Sequence, residues 1–222
     1  MRKIIKGQEP PSLGRWKRNH SGGNYQDLSY TERQDIREAC AKEQYYLCAY
    51  CCAQISGQPN DTVNEHVKAR DLAPQSSLDF NNIVASCKTP KQCDDAHGNQ
   101  VLPLTPLMDE CETELYFYTS GRVKGSNDRA SESIRVLNLG DNEQNNKALV
   151  EKRKNLADAL LWINGVYPNQ GLEDASLIQL LIDDIAKPKD GKLEPFAPVV
   201  ANILKRWLKD SLPKGDESEL KC

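Results

Sequence analysis

Five of the chain's eight cysteines, Cys48, Cys51, Cys52, Cys87 and Cys93, crowd into residues 48–93, and no other feature restricts the fold as much. Between residues 48 and 100 the apolar runs are short, broken by the turn-rich stretches SGQPND and APQSS. A segment this poor in apolar bulk needs another source of cohesion, and a metal held by thiolates supplies one. Cys48 and Cys51 have the spacing at which a tight turn lets two thiolates grip one ion. Cys87 and Cys93 make the second pair across KTPKQ, whose proline suits a longer turn. Four thiolates round a tetrahedral Zn2+ make a closed, structural site. Two alternatives stay open on spacing alone: Cys52 in place of Cys51 through a slipped register, or buried free thiols throughout. Cys40, Cys111 and Cys222 stand apart and read as ordinary thiols.

The metal reading is preferred to a disulfide framework because nothing in the sequence points to export. The N-terminus has basic residues but no apolar signal region, and no apolar run is long enough to span a bilayer. A cytoplasmic protein with no membrane contact is expected, and grouped cysteines there are more often metal ligands than disulfides. The net charge of −3 excludes a polycation. Its distribution is uneven, however: Arg2, Lys3, Lys6, Arg15, Lys17 and Arg18 face only Glu9 in the first twenty residues. Such an arm suits phosphates, a partner surface, or plain solvent.

Periodicity divides the 222 residues into three regions. Residues 1–47 read as a basic extended arm, through residue 28, and a lead-in helix. That helix has a capping signal at Thr31 with Gln34, and Ile36, Ala39, Cys40 and Leu47 at helical spacing. It is expected to run into the first cysteine pair. Residues 48–140 hold the cysteines, then a hairpin in ELYFYTSGRVKG and a further strand in SIRVLNL. Residues 141–222 are helical. One helix has an Asp141 cap, apolar Leu149, Leu156, Leu160 and Ile163, and Gly165 as its stop; a second lies in LEDASLIQLLIDDIAKP. A third carries a stripe of Phe196, Val199, Val200, Ile203, Leu204, Trp207 and Leu208. The last ten residues read as frayed. The fold class is α+β.

The stretch NEHVKARD sets Glu65 beside His66, in a chain with three histidines. Alone the pair means little. In order along the chain, however, come Cys48 and Cys51, then Glu65-His66, then Asn82-Ile83 leading to Cys87, then Cys93 and His97. That order, over residues 48–99, resembles the zinc-containing HNH endonucleases. A closer resemblance covers most of the chain: MRKIIKG, CAYC, EH, LDFNNIVASC, HGN, LPL, ASESIRVLNL and KALVEKRK are similar to the HNH nuclease subunit of Septu anti-phage defence systems, relatives of which accompany some retrons.

The resemblance implies a zinc-stabilised ββα-metal nuclease core before the helical region, an ABC/SMC-type ATPase partner, and a DNA or RNA substrate. In that fold two strands and a helix clasp one divalent ion, and Asn82 holds the loop so that His66 is aimed. The chemistry asks for the same residue types. Phosphodiester hydrolysis needs an activated water, a cation near the scissile phosphate and help for the leaving oxygen. A neutral imidazole with a pKa near ~6.5 can take the proton, which is the role of His66. Glu65 either points to the opposite face of an extended strand or bends round to the cation, Mg2+ or Mn2+, which carboxylates suit. The second ligand is open. Asp94 occupies the position after the fourth cysteine, where the family often has His or Asn, and His97 lies about one helical turn further on.

Overall fold

The computed structural model describes residues 1–141, 145–167, 172 and 174–211. Cys222 and the last ten residues lie outside the described residues. Within them the chain is mixed α+β, with seven α-helices and two antiparallel sheets of two strands each.

The N-terminal region departs from the extended arm. The first ten residues form neither helix nor strand, with Met1 and Ile4 buried and the Ile4 amide bonded to Pro106 O at 2.8 Å. Helix α1, Pro11–Asn19, then follows. Pro11 pre-sets the backbone of the first turn, and Lys17 and Arg18 complement the negative end of the helix dipole. Leu13 and Trp16, three apart, reach the core together. The basic residues are largely engaged: Arg2 stacks on Tyr45, and Lys3, Lys6 and Lys17 pair with Asp109, Glu43 and Glu9. Arg15 and Arg18 remain exposed.

Helix α2, Tyr30–Glu43, begins one residue before the expected Thr31 cap. Ser29 is the cap: its hydroxyl accepts from the Thr31 amide (3.2 Å), and Glu32 accepts from the Ser29 amide (3.1 Å). The helix stops short of the cysteines. Tyr45 and Tyr46 take left-handed φ of 53° and 60°, which turns the chain out of the helix before Cys48.

Strand β1, Thr62–His66, pairs with β2, Ile83–Cys87, so that Glu65 faces Val84 and His66 faces Ile83. Helix α2 packs on both strands. The knuckle around Cys48 runs along the other edge of β2, where Ala49 N donates to Ala85 O (3.0 Å). All five residues of β2 are therefore buried. The one-turn helix α3, Asp94–His97, starts directly after Cys93.

The expected hairpin forms as β3, Leu115–Phe117, and β4, Val123–Gly125. Gly121 turns it at φ +81°, and a Cβ there would lie 2.2 Å from Val150 O, so only glycine fits. The expected strand at SIRVLNL is instead mostly helix α4, Asp128–Val136. Ile134 and Val136 are strand formers. The Asn127 cap, accepting from Ala130 N (2.9 Å), and burial of Ala130, Ser133 and Ile134 at helical spacing outweigh them.

Helix α5, Lys147–Ile163, is capped by Asn146 rather than Asp141 and ends before Gly165 at φ +77°. Its buried face is Leu149, Arg153, Ala157 and Leu161, one position round from the expected one, and Leu156 and Ile163 are exposed. Arg153 decides that rotation. Fully buried, it donates to Gly121 O (2.6 Å) and Leu139 O (2.9 Å), because a buried guanidinium requires partners. Helices α6, Ala175–Ile185, and α7, Ala197–Ser211, complete the fold. The α7 stripe is divided between two cores: Phe196, Val199 and Ile203 join the main one, while Val200 and Leu204 join a second with Leu47, Leu161 and Ile182. Among the described residues no helix is long and apolar enough to cross a membrane.

Candidate metal centre and active site

Cys48, Cys51, Cys87 and Cys93 converge, buried, with their sulfurs within 4.8 Å of one another. Cys48 and Cys93 sulfurs lie 3.8 Å apart and Cys51 and Cys87 sulfurs 3.9 Å. A tetrahedral ion with metal–sulfur bonds of about 2.3 Å has edges of about 3.8 Å, so the donor set fits such an ion. The cluster could hold a metal such as zinc. The slipped register does not occur. Cys52, at φ 64°, turns its side chain into the core instead, where burial raises its pKa.

The four thiols are shifted unequally: Cys48 and Cys87 are lowered, while hydrogen bonds to the neighbouring thiols raise Cys51 and burial raises Cys93. Hydrogen bonds from Cys48, Cys51 and Cys93 hold the Cys87 pKa below the ordinary thiol range. The Cys87 amide donates to Cys48 Sγ (3.3 Å), and Gln92 Nε2 donates to Cys51 and Cys87 Sγ, both at 3.5 Å. Gln92 in turn accepts from Asn146, the cap of α5 (2.8 Å), tying the cluster to the helical region. Such outer contacts orient first ligands. Cys40 and Cys111 lie apart from the cluster, their thiols raised to about 12, by burial foremost.

The knuckle, β1 and α3 build a second group. Tyr50, inside the knuckle, donates to Glu65 Oε1 (2.9 Å), and His97 Nδ1 meets that oxygen at 2.5 Å. His97 Nε2 donates to Gln100 O (2.9 Å), which points Nδ1 at Glu65. Burial opposes a charge on His97, but the Glu65 hydrogen bond and charge prevail, and its pKa is raised. Asp94 joins from one turn away. Desolvation first, then hydrogen bonding and charge repulsion from Glu65, pushes its pKa up to about 8. A cation would relieve that repulsion. Glu65, Asp94 and His97 thus meet, though among the described residues they do not close to the mutual spacing of the thiols.

His66 belongs to the other face of β1, as alternation along a strand requires. Its Nε2 donates to Ser77 O (2.9 Å), leaving the lone pair on Nδ1, and its ring meets Tyr25 edge-on at 4.7 Å. Burial, aided by the Arg70 charge, lowers its pKa, so the imidazole is neutral at pH 7. The structure does not bring His66 into contact with the Glu65 group. Asn82 staples the loop that follows His66: its Oδ1 accepts from Lys68 N (2.8 Å) and its Nδ2 donates to Lys68 O (3.0 Å). It is a positioning residue.

No family model matches the chain, and no curated protein matches it significantly. Sequence reasoning missed Tyr50, Gln92, Ser77 and Tyr25. Tyr50 carried a signal, lying between the paired cysteines; the Ser77 carbonyl carried none, since backbone acceptors have no sequence signature.

Proposed function

We propose that this chain is a metal-dependent HNH endonuclease. It hydrolyses nucleic-acid phosphodiesters in the cytoplasm as the effector of an anti-phage defence complex with an ABC/SMC-like ATPase. The observation that carries the reading is the pairing on one strand of Glu65, grouped with Asp94 and His97, and His66, neutral and fixed in one tautomer. The motif order similar to Septu nuclease subunits supplies the defence context and the ATPase.

In this reading β1, β2 and α3 form the ββα-metal core, and a structural Zn2+ fills the four-thiol site, leaving it no open position. A divalent cation, Mg2+ or Mn2+, held by Glu65 with His97 or Asp94, would stabilise charge at the phosphate and leaving oxygen. His66 Nδ1 takes the proton of the attacking water, and the Ser77 carbonyl holds the tautomer that allows it. Asn82 keeps the loop after His66 in place.

The burial and hydrogen bonding of both histidines would equally suit a zinc-stabilised binding module without catalysis. Co-purification with the ATPase, followed by cleavage assays on DNA and total RNA, separates the two; absence of cleavage by the complex sinks the nuclease.

Two further outcomes follow from the site. At saturating divalent ion, where the raised pKa values of Asp94 and His97 no longer limit ion binding, His66 must be neutral to accept a proton, and its pKa is lowered, so activity falls with acid only below pH ~6.5. A cation at Glu65 would push in the same direction. A kcat/KM profile whose acid limb lies above that value contradicts the assignment.

The helical region offers the surface on which we place the ATPase. The α7 stripe packs inside the protein, its Trp207 and Leu208 partly buried, whereas Trp162 (62% exposed), Ile163 (79%) and Leu180 (66%) on α5 and α6 are exposed. Truncation at residue 141 would open a shared core, so point substitutions are the test. Ile163→Glu with Leu180→Glu should abolish co-purification of the ATPase while the chain stays folded; undiminished co-purification refutes this docking face.

A further inference from the structure

On the His66 face of β1, positive charge gathers about one aromatic ring. Asn64 Nδ2 donates to the Tyr25 hydroxyl (2.8 Å), and the tyrosine ring packs against the imidazole of His66. The Arg33 and Arg70 guanidiniums each stand 5.4 Å from the Tyr25 ring centre. Arg37, one turn beyond Arg33 on α2, adds a third charge felt by the same tyrosine.

None of the three is paired with a carboxylate among the described residues. Elsewhere in the chain Arg129 and Arg135 pair with Glu114 and Glu132. Here Arg33 donates to the carbonyls of Gln26 (2.6 Å) and Tyr25 (3.4 Å), and Arg37 to the Gln34 side chain. The Nε atoms of Arg33 and Arg37 and the Oδ1 of Asn64 are buried without a partner. Arg33 and Arg37 are part-buried and Arg70 is exposed; gathering like charges there without a counter-ion is costly, and an arriving anion would relieve it. Guanidinium forks match phosphate oxygens two at a time, and weak hydration suits them to such a site.

We infer that Arg33, Arg37 and Arg70, assembled round Tyr25 beside His66, clamp the phosphate backbone of a nucleic-acid strand and set it against the imidazole. The inference rests on the nuclease reading and names the residues that would bind its substrate. The clamp touches phosphates, so binding is independent of base sequence and falls steeply with salt.

The test uses the full chain with His66→Ala, so that strands stay intact, and labelled single-stranded DNA, double-stranded DNA and RNA of one sequence. Binding is measured across a salt series. Arg70→Gln is the first variant, because Arg70 is exposed and its described contact is the tyrosine ring alone, so the fold does not depend on it. Arg33→Gln and Arg37→Gln follow, checked by circular dichroism, and Arg15→Gln with Arg18→Gln on α1 is the control. Each clamp substitution should weaken binding to all sequences alike and lower the log–log salt slope by about 1, with the control unchanged. Binding with an unaltered slope in Arg70→Gln and the two α2 variants overturns the clamp and leaves the nuclease reading standing. Failure of the chain to bind any of the three probes overturns the substrate reading and the clamp with it.

Discussion

His66→Ala lowers cleavage by the purified complex ~10²–10⁴-fold, the range of a general base, while metal content and partner binding stay at wild-type levels. The size follows from the lack of a substitute. His97 is tied at both nitrogens, to Glu65 and Gln100, and His20 stacks on Trp16 at the end of α1. His66 lies outside the thiol cluster, and its removal breaks one side-chain hydrogen bond, to Ser77. The defect is therefore chemical rather than structural, and raising Mg2+ or Mn2+ does not repair it. Glu65→Ala should differ: activity falls, and excess divalent ion restores part of it. His97→Ala and Asp94→Asn, run in the same ion titration, identify the second ligand as whichever behaves like Glu65→Ala. Wild-type cleavage by His66→Ala at any ion concentration would mean that the imidazole is a packing group.

Loss of the metal from the four thiols is expected to unfold the β1–β2–α3 unit. Structural zinc sites supply roughly 10–16 kcal/mol of apparent binding energy, as much as the whole stability of an ordinary domain, about 5–15 kcal/mol. The cluster ties three separate places together: the knuckle, the end of β2 and the start of α3. Protein purified without added zinc should carry about one equivalent. Cys87→Ser should lose it, together with amide-exchange protection over residues 48–100, whereas Cys52→Ala should keep both. A metal-free protein whose cluster thiols react freely in an otherwise native fold would defeat this expectation. The apolar residues of the segment soften but do not remove the dependence. Tyr50, Ile55, Phe80, Ile83 and Val84 join the main core, so part of the unit leans on α2 as well as on the thiol cluster.

The thiol cluster and several turns and helix ends could be read from the residues because their signals are local. Two cysteines at turn spacing, a hairpin closed by Ser120-Gly121, and Gly165 after an apolar helix each act through neighbours in the chain. Where the reading failed, a non-local partner had overruled a local preference. Ile134 and Val136 are helical because their turn packs against the hairpin. The α5 face rotates because Arg153 finds carbonyls at Gly121 and Leu139. The basic arm is no free arm because Glu43, Asp109 and Tyr45 engage its charges.

By itself, the sequence determined which thiols could share an ion, that Glu65 and His66 adjoin on an extended stretch, and that helices follow the cysteine region. These depend on residue type and spacing. Only the tertiary structure decided that Cys51 rather than Cys52 enters the cluster, that Asp94 and His97 both reach Glu65, and that His66 faces Tyr25 and Ser77 instead. The reason is geometric. A strand sends neighbouring side chains to opposite faces, and what each then meets depends on elements far away in the chain. Three arginines from α2 and the loop after β1 become one charged group on those terms, because folding alone brings residues 25, 33, 37, 66 and 70 together.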